Sequence, residues 1–244
     1  MMLPTLHWTD ALSAGPYRWT MLGAIVLSAL WWFRKSKHTP GLLRVYLGAL
    51  VGAFLGAKLA YLCAEGWSDW SRPDRWLRLA TGKSVLGGLL GGYGGVELIK
   101  WLTGYRKNTG DLFAFIAPLG LALGRVGCWM QGCCQGKPTT LKLLAVCDAH
   151  GVARWPAAQV ELVFQLAAFA VLFVLRNDVC CRGRLFFLYL ASYGVFRFLH
   201  EPMRDTPVLV TGVSGYQLIA LAMAVLGVTM FVRRGRAETP YDQP

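Results

Sequence analysis

The feature that most constrains this chain is the length of its apolar runs. Seven apolar blocks lie at about 17–33, 41–63, 84–101, 111–130, 157–176, 184–200 and 214–232, each of the length that carries a helix across a bilayer. A soluble domain of this size would alternate apolar with polar residues and carry about a quarter charged residues to cover its surface. Here only 16% are charged against 55% hydrophobic, so a soluble globule is excluded. Breaker clusters separate the blocks, the clearest being Thr39-Pro40-Gly41, Ser71-Arg72-Pro73-Asp74, Thr109-Gly110-Asp111 and Thr206-Pro207. The expected fold is one all-α polytopic membrane domain over residues 1–244 with seven transmembrane helices. The first block has no basic n-region before it and no A-x-A site after it, and is expected to remain as a helix.

The formal net charge of +12 would point to nucleic acid in a soluble protein. In a membrane protein the position of each basic residue matters more. Alternate connections carry Arg34, Lys35 and Lys37; Lys100, Arg106 and Lys107; Arg176, Arg182 and Arg184; and Arg233, Arg234 and Arg236. The other set spreads Arg18, Arg72, Arg75, Arg78, Lys83, Lys137, Lys142, Arg154 and Arg204 over longer stretches. Basic residues beside a span are retained on the cytoplasmic side, which predicts the N-terminus outside and the C-terminus inside. The charge is thereby absorbed as a topology signal, and no nucleic-acid partner is expected.

An ionisable group near the bilayer centre costs at least about 2.5 kcal/mol and needs a partner or a purpose. Lys58, Glu97, Arg125, Glu161, Arg197 and Glu201 are such groups. Lys58 and Glu97 are close enough to helix ends for internal salt bridges or snorkelling. Arg197 and Glu201 form an i, i+4 pair. Arg125 has no acid within a turn and lies in Gly124-Arg125-Val126-Gly127, where the glycines permit close backbone approach. Arginine stays charged when buried, and its fork suits phosphate. Arg125 and Arg197 facing one cavity near the outer leaflet would therefore bind a phospholipid head group. Gly87-Gly88, Gly91-Gly92 and Gly94-Gly95 in the third helix demand a close neighbour, either another helix or a lipid lying along a glycine groove.

Cysteines occur at 63, 128, 133, 134, 147, 180 and 181. Cys180 and Cys181 fall in an expected cytoplasmic turn, and Cys133, Cys134 and Cys147 on the oxidising side. Three readings stand for the segment from Cys128 to Lys137. A zinc site is poorly matched by C-x4-C-C with His150 alone in reach. Cys147 bridged to Cys133 or Cys134 would pin the outer loop. A thiolate at Cys128 or at the remaining vicinal cysteine would be activated by Arg125 and Lys137. No metal or cofactor is expected.

From about Gly56 to the last helix the motifs resemble the bacterial prolipoprotein diacylglyceryl transferase family. Asp111 to Gly120, Gly124-Arg125-Val126-Gly127, Gln131-Gly132 and Gly136-Lys137-Pro138 are similar to its D-x-x-A-P run and G-R-x-G-N-F-x-N-G-E signature. Pro156 and Glu161 match P-S-Q-L-Y-E. Tyr193-Gly194-Val195-Phe196-Arg197, Glu201 and Arg204-Asp205 match Y-G-x-x-R-x-x-x-E-x-x-R, and Ser214 to Leu218 match M-G-Q-x-L. The resemblance implies a transferase in the bacterial inner membrane that moves the diacylglyceryl unit of phosphatidylglycerol onto a secreted thiol at the outer face. It further implies that Arg125 and Arg197 handle the glycerophosphate, with Tyr193 and Glu201 near them. Gly124, Gly127, Gln131, Cys133, Cys134, Gly136, Lys137, Gly87, Gly88, His200 and Arg204 then line the substrate site, with Cys128 a candidate catalytic thiol. Several positions depart from the family pattern. The H-G-G histidine is Leu86, the asparagines are Cys128 and Gln131, the signature glutamate is Cys133, and S-Q is Ala157-Ala158. Losing an imidazole base and gaining thiols leaves the acceptor open, and a membrane thiol-redox protein or a non-catalytic lipid-binding relative is the alternative.

Overall fold

Turn chemistry sets where each helix begins and ends. The computed structural model describes residues 15–70, 73–141, 145–148, 150–209 and 212–237; residues 1–14, Arg72 and Lys142, used above to orient the chain, lie outside them. The long helices are α1 (Pro16–Ser36), α2 (Leu42–Tyr61), α4 (Val85–Thr103), α5 (Gly110–Met130), α6 (Ala157–Val174), α7 (Leu185–His200) and α8 (Gly215–Ala237), with a short α3 (Arg75–Thr81) between α2 and α4. Gly41 precedes α2 at φ 84° and Gly104 ends α4 at φ 66°, both in the left-handed region that glycine enters without steric cost. Asp111, in the first turn of α5, accepts the N–H groups of Gly183 at 2.6 Å and Leu185 at 3.2 Å. One carboxylate thereby favours its own helix start and ties down the entry to α7. A π-helical turn over Leu62–Gly66 carries α2 on to Asp69.

Each apolar block read from the sequence is a helix. Four continuous helical stretches, Leu42–Asp69, Gly110–Met130, Ala157–Asn177 and Gly215–Gly235, are long and apolar enough to cross a membrane. The outward faces are lipid-like: Leu47, Val51, Phe54 and Leu59 of α2 are exposed, as are Val163, Leu166, Val171 and Val174 of α6. Trp67, Trp70 and Trp76 are exposed where α2 ends, a position that suits the aromatic girdle of a membrane interface.

The helices pack as antiparallel pairs, α2 on α4 and α7 on α8, with α5 between α1 and α6 and also touching α7. In the α2–α4 pair, Gly48, Gly52 and Gly56 meet Gly95, Gly91 and Gly87; a Cβ on Gly52, Gly56, Gly87, Gly91 or Gly95 would overlap a backbone carbonyl of the facing helix, and one on Gly48 would strike the Ile99 side chain. The main core gathers Leu86, Ala114, Leu185, Phe187, Tyr189, Leu190, Tyr193, Ala220 and Met223. Lys58 and Glu97 resolve as internal contacts. Lys58 Nζ donates to the Gly82 carbonyl at 3.4 Å, and Glu97 pairs with Lys100 and Arg234, each at 3.9 Å.

Candidate functional site

The C-terminal parts of α5 and α7 and the N-terminal part of α6 meet at one end of the bundle, and their charged residues converge on Glu161. Arg125 Nη2 donates to both carboxylate oxygens of Glu161 at 2.8 Å. Arg197 Nη1 donates to Oε2 at 2.9 Å and the Tyr193 hydroxyl donates to Oε1 at 2.7 Å. Arg197 Nη2 reaches Glu201 at 2.6 Å, the i, i+4 pair expected from the spacing. Arg204, beyond α7, lies 3.6 Å from Glu161 and from Glu201. Glu161 and Glu201 are fully enclosed, and Arg125 and Arg197 nearly so.

The sequence reading missed this hub. Glu161 was noted as a charge in a span, yet the partner that Arg125 lacks within its own helix is this carboxylate, 36 residues away. Three arginines face two glutamates, so the five side chains carry one surplus positive charge. The protein supplies no hydrogen-bond acceptor to Arg204 Nε, Arg204 Nη1 or Arg197 Nε. Buried donors without protein acceptors beside a net positive charge suit an anionic ligand.

Arg125 also borders a cavity of about 450 Å³. Its wall is apolar over most of its length, with Ala24, Ala53, Gly88, Leu89, Gly92 and Ile116, and Arg125 and Cys128 border it together with Gly124. The glycine doublets of α4 serve both ends proposed for them. Gly87 packs on Gly56 and Ala60 and does not face the cavity, whereas Gly88 and Gly92 line it. Leu86, at the position of the family histidine, is buried in the apolar core.

After α5 the chain turns at Gly132, φ 65°, and then at Cys134, φ 60°, the one non-glycine residue with positive φ among the described residues. The Cys133 N–H donates to the Cys128 carbonyl at 3.1 Å. This reversal draws the sulfurs of Cys128, Cys133 and Cys134 to within 4.8 Å of one another. Arg125 Nη1 lies 3.8 Å from Cys128 Sγ. Two expectations are corrected. The bridge from Cys147 is not formed: all seven cysteines are free, and Cys147 is exposed in a hairpin where Val146–Cys147 pairs with Ala153–Arg154. The spacing that argued against a metal site concealed a three-sulfur cluster, because the αL turns fold a C-x4-C-C segment back on its helix, and His150 is not part of it.

The remaining candidates are scaffold or rim. Gly136 lies against Met203 and Trp155, where a Cβ would not fit, and its N–H donates to the Trp155 carbonyl at 2.8 Å. The Lys137 N–H donates to the Met203 carbonyl at 2.9 Å, so this backbone bridge fixes the segment that presents Arg204, while the Lys137 side chain is exposed. Gln131 is exposed at the end of α5 and Gly127 is buried within it. His200 accepts from Trp155 Nε1 at 2.9 Å and stacks on Phe196, which marks it as a packing histidine. In the hairpin, the Arg154 guanidinium and the N–H groups of Val152 and His150 hold the Asp148 carboxyl down to about 2.

The chain has clear relatives. The sequence profile described as prolipoprotein diacylglyceryl transferase matches residues 17–233. A phosphatidylglycerol--prolipoprotein diacylglyceryl transferase of Rhodospirillum centenum is 31% identical, covering 86% of this chain and 85% of its own length. Enzymes of the same name from Clostridium tetani and Neisseria meningitidis are each 27% identical, covering 86% and 92% of this chain and 88% and 94% of their own lengths. A match of this extent, together with the charged cluster at the motif positions, makes the chain a member of the prolipoprotein diacylglyceryl transferase family, a family of transferases.

Proposed function

We propose that the protein is a seven-span enzyme of the bacterial inner membrane, N-terminus outside, that transfers the diacylglyceryl group of phosphatidylglycerol to a thiol of a secreted acceptor at the outer face. The observation that carries this reading is the surplus positive charge of the cluster formed by Arg125, Arg197 and Arg204 with Glu161 and Glu201, which meets an apolar cavity through Arg125 alone of the three. An anionic phosphate beside an apolar channel is the pattern of a phospholipid. The acyl chains occupy the groove along Gly88, Gly92 and Ile116, and the phosphate sits at the arginines. In the reaction the acceptor sulfur attacks the glyceryl carbon bonded to the phosphate oxygen, that C–O bond breaks, and glycerol phosphate departs. Preorganised guanidinium donors stabilise the charge that builds on the leaving phosphate. Glu161 and Tyr193 hold the guanidinium planes, and Gly124 and Gly127 keep the approach to Arg125 open. Gln131 and Lys137 form the rim, and Gly136 anchors the segment that carries Arg204.

The test is transfer of labelled glycerolipid from phosphatidylglycerol to a lipoprotein-precursor peptide in proteoliposomes. Each charged hydrogen bond contributes about 1.5–3 kcal/mol, so Arg125→Ala is expected to lower transfer at least tenfold and to abolish co-purification of anionic lipid. Cys128→Ser is expected to lower it less, because attack by an enzyme thiol would end in a thioether that is not easily undone. A lipid adduct on Cys128 during turnover would replace this mechanism with a thiol-centred one.

A further inference from the structure

Neither the phosphate cluster nor the apolar groove requires three thiols, yet the chain pays a conformational cost to gather them. A non-glycine residue in the left-handed region costs about 1 kcal/mol or more and persists where the surrounding structure over-determines it, commonly at ligand clamps. Cys134 adopts that conformation at φ 60°, directly after the Gly132 turn. The result is a set of three sulfurs from two stretches of backbone, all within 4.8 Å of one another. A thiophilic ion bonded at about 2.3 Å to three thiolates holds its sulfurs about 3.8–4.0 Å apart, so the observed sulfur separations, all within 4.8 Å, exceed that requirement by about 1 Å at most. The set also grades in depth, with Cys128 buried, Cys133 half-buried and Cys134 exposed, which gives an entry path from the outer rim.

We propose that Cys128, Cys133 and Cys134 form a binding site for one thiophilic d10 metal ion, zinc(II) or copper(I), whose open fourth position takes the acceptor thiol. The second half of this statement rests on the transferase reading above; the first does not. Soft thiolates select these ions, and three protein ligands with a fourth position left open is the arrangement of catalytic rather than structural zinc. Arg125, 3.8 Å from Cys128 Sγ, offsets part of the negative charge of three thiolates. It also puts the site next to the proposed phosphate, since Arg125 and Cys128 border the same cavity. Where the family pattern has a histidine, this chain has buried Leu86, and a coordinated thiol loses its proton without an imidazole. The acceptor R–SH binds as R–S⁻ and its proton passes to water. The sulfur then exchanges its bond to the metal for a bond to the glyceryl carbon, and the C–O electron pair leaves on glycerol phosphate. The metal keeps its oxidation state and regains its open position.

The experiment uses the full chain, purified under reducing conditions in detergent and titrated with zinc(II) or copper(I) alone. One equivalent of one of these ions should bind, and X-ray absorption of that ion should show three sulfur neighbours. Binding should fall at least tenfold in Cys128→Ser, Cys133→Ser and Cys134→Ser and stay unchanged in Cys63→Ser and Cys147→Ser. Absence of stoichiometric binding of both ions, fewer than three sulfurs, or equal loss in the two control variants overturns the site. With cobalt(II) in the same position, adding a cysteine peptide should change the visible spectrum and add a sulfur; an unchanged spectrum overturns the acceptor role. Lipid transfer is measured separately, so a metal-loaded, thiol-binding protein that moves no lipid would count against the transferase reading and not against the site.

Discussion

The α2–α4 contact and the cluster around Glu161 both fasten helices together, and they do so by opposite means. In the first, six glycines let the two backbones touch along their length, with the Ile99 and Ala60 side chains against the glycines at either end. In the second, three arginines and a tyrosine from α5, α7 and the segment after α7 meet around the Glu161 carboxylate of α6, with Glu201 joined through two of the arginines. The glycine contact is distributed and tolerates the loss of any one atom, because dispersion forces add over many small contacts. The charged contact is concentrated, since removing one member leaves its partners charged and buried. The comparison teaches that the bundle keeps its inflexible chemistry at one end and lets featureless packing hold the rest.

The largest effect should come from the centre of the cluster. Glu161→Ala leaves Arg125 and Arg197 without their shared carboxylate, and breaking a buried pair costs about 3–5 kcal/mol. A detergent-solubilised variant should lose most of its thermal stability, and a melting curve superimposable on the parent would dismantle the contrast with the glycine contact. Tyr193→Phe removes one hydrogen bond to a charged acceptor, about 1.5–3 kcal/mol, and lipid retention should fall with it while the helices stay paired by cross-linking.

At the other contact, Gly91→Ala should cost about 1–3 kcal/mol, because the added methyl meets backbone and not a side chain that can rotate away. Gly94→Ala, where nothing lies within 4 Å, is the matched control and should be neutral or slightly stabilising. Equal effects at 91 and 94 would mean that close approach is not what the glycines serve. The smallest effect belongs to the outer hairpin. Asp148 is lowered from 3.8 to about 2 by Arg154 and two backbone N–H groups. Its contribution is complete above pH 4 and fades as pH falls through about 2. Amide exchange at His150 and Val152, which donate to Asp148 Oδ1 at 2.9 Å, should rise relative to the intrinsic rate over that interval. A flat profile would show that the hairpin does not depend on this carboxylate.

How legible each region is in the sequence follows from the same contrast. The helices are written locally: the block read as 111–130 is Gly110–Met130 and that read as 184–200 is Leu185–His200, because length and breaker residues fix them. The glycine doublets announce close approach, though not which glycine faces which neighbour. Glu161 as the partner of Arg125 is invisible, since the pairing depends on how α5 and α6 rotate against each other. The three sulfurs are hidden for another reason. Spacing rules assume an extended or helical run between ligands, and the turns at Gly132 and Cys134 follow neither. The motif singles out Arg204, but its place beside two glutamates depends on the backbone bonds of Gly136 and Lys137 to Trp155 and Met203, which leave no periodic trace.

The unequal count of three arginines to two glutamates has a thermodynamic consequence. A cluster that is one negative charge short is balanced, on the proposed reading, by its guest, so an anionic lipid would act as a part of the folded structure as well as a reactant. Whatever binds the native state alone stabilises it by mass action, about 2.7 kcal/mol at a hundredfold excess over Kd. The melting temperature should therefore report lipid identity directly, rising with phosphatidylglycerol in the micelle and not with a zwitterionic lipid of the same chains. Membrane composition would then set how much of this protein survives as well as how fast it works.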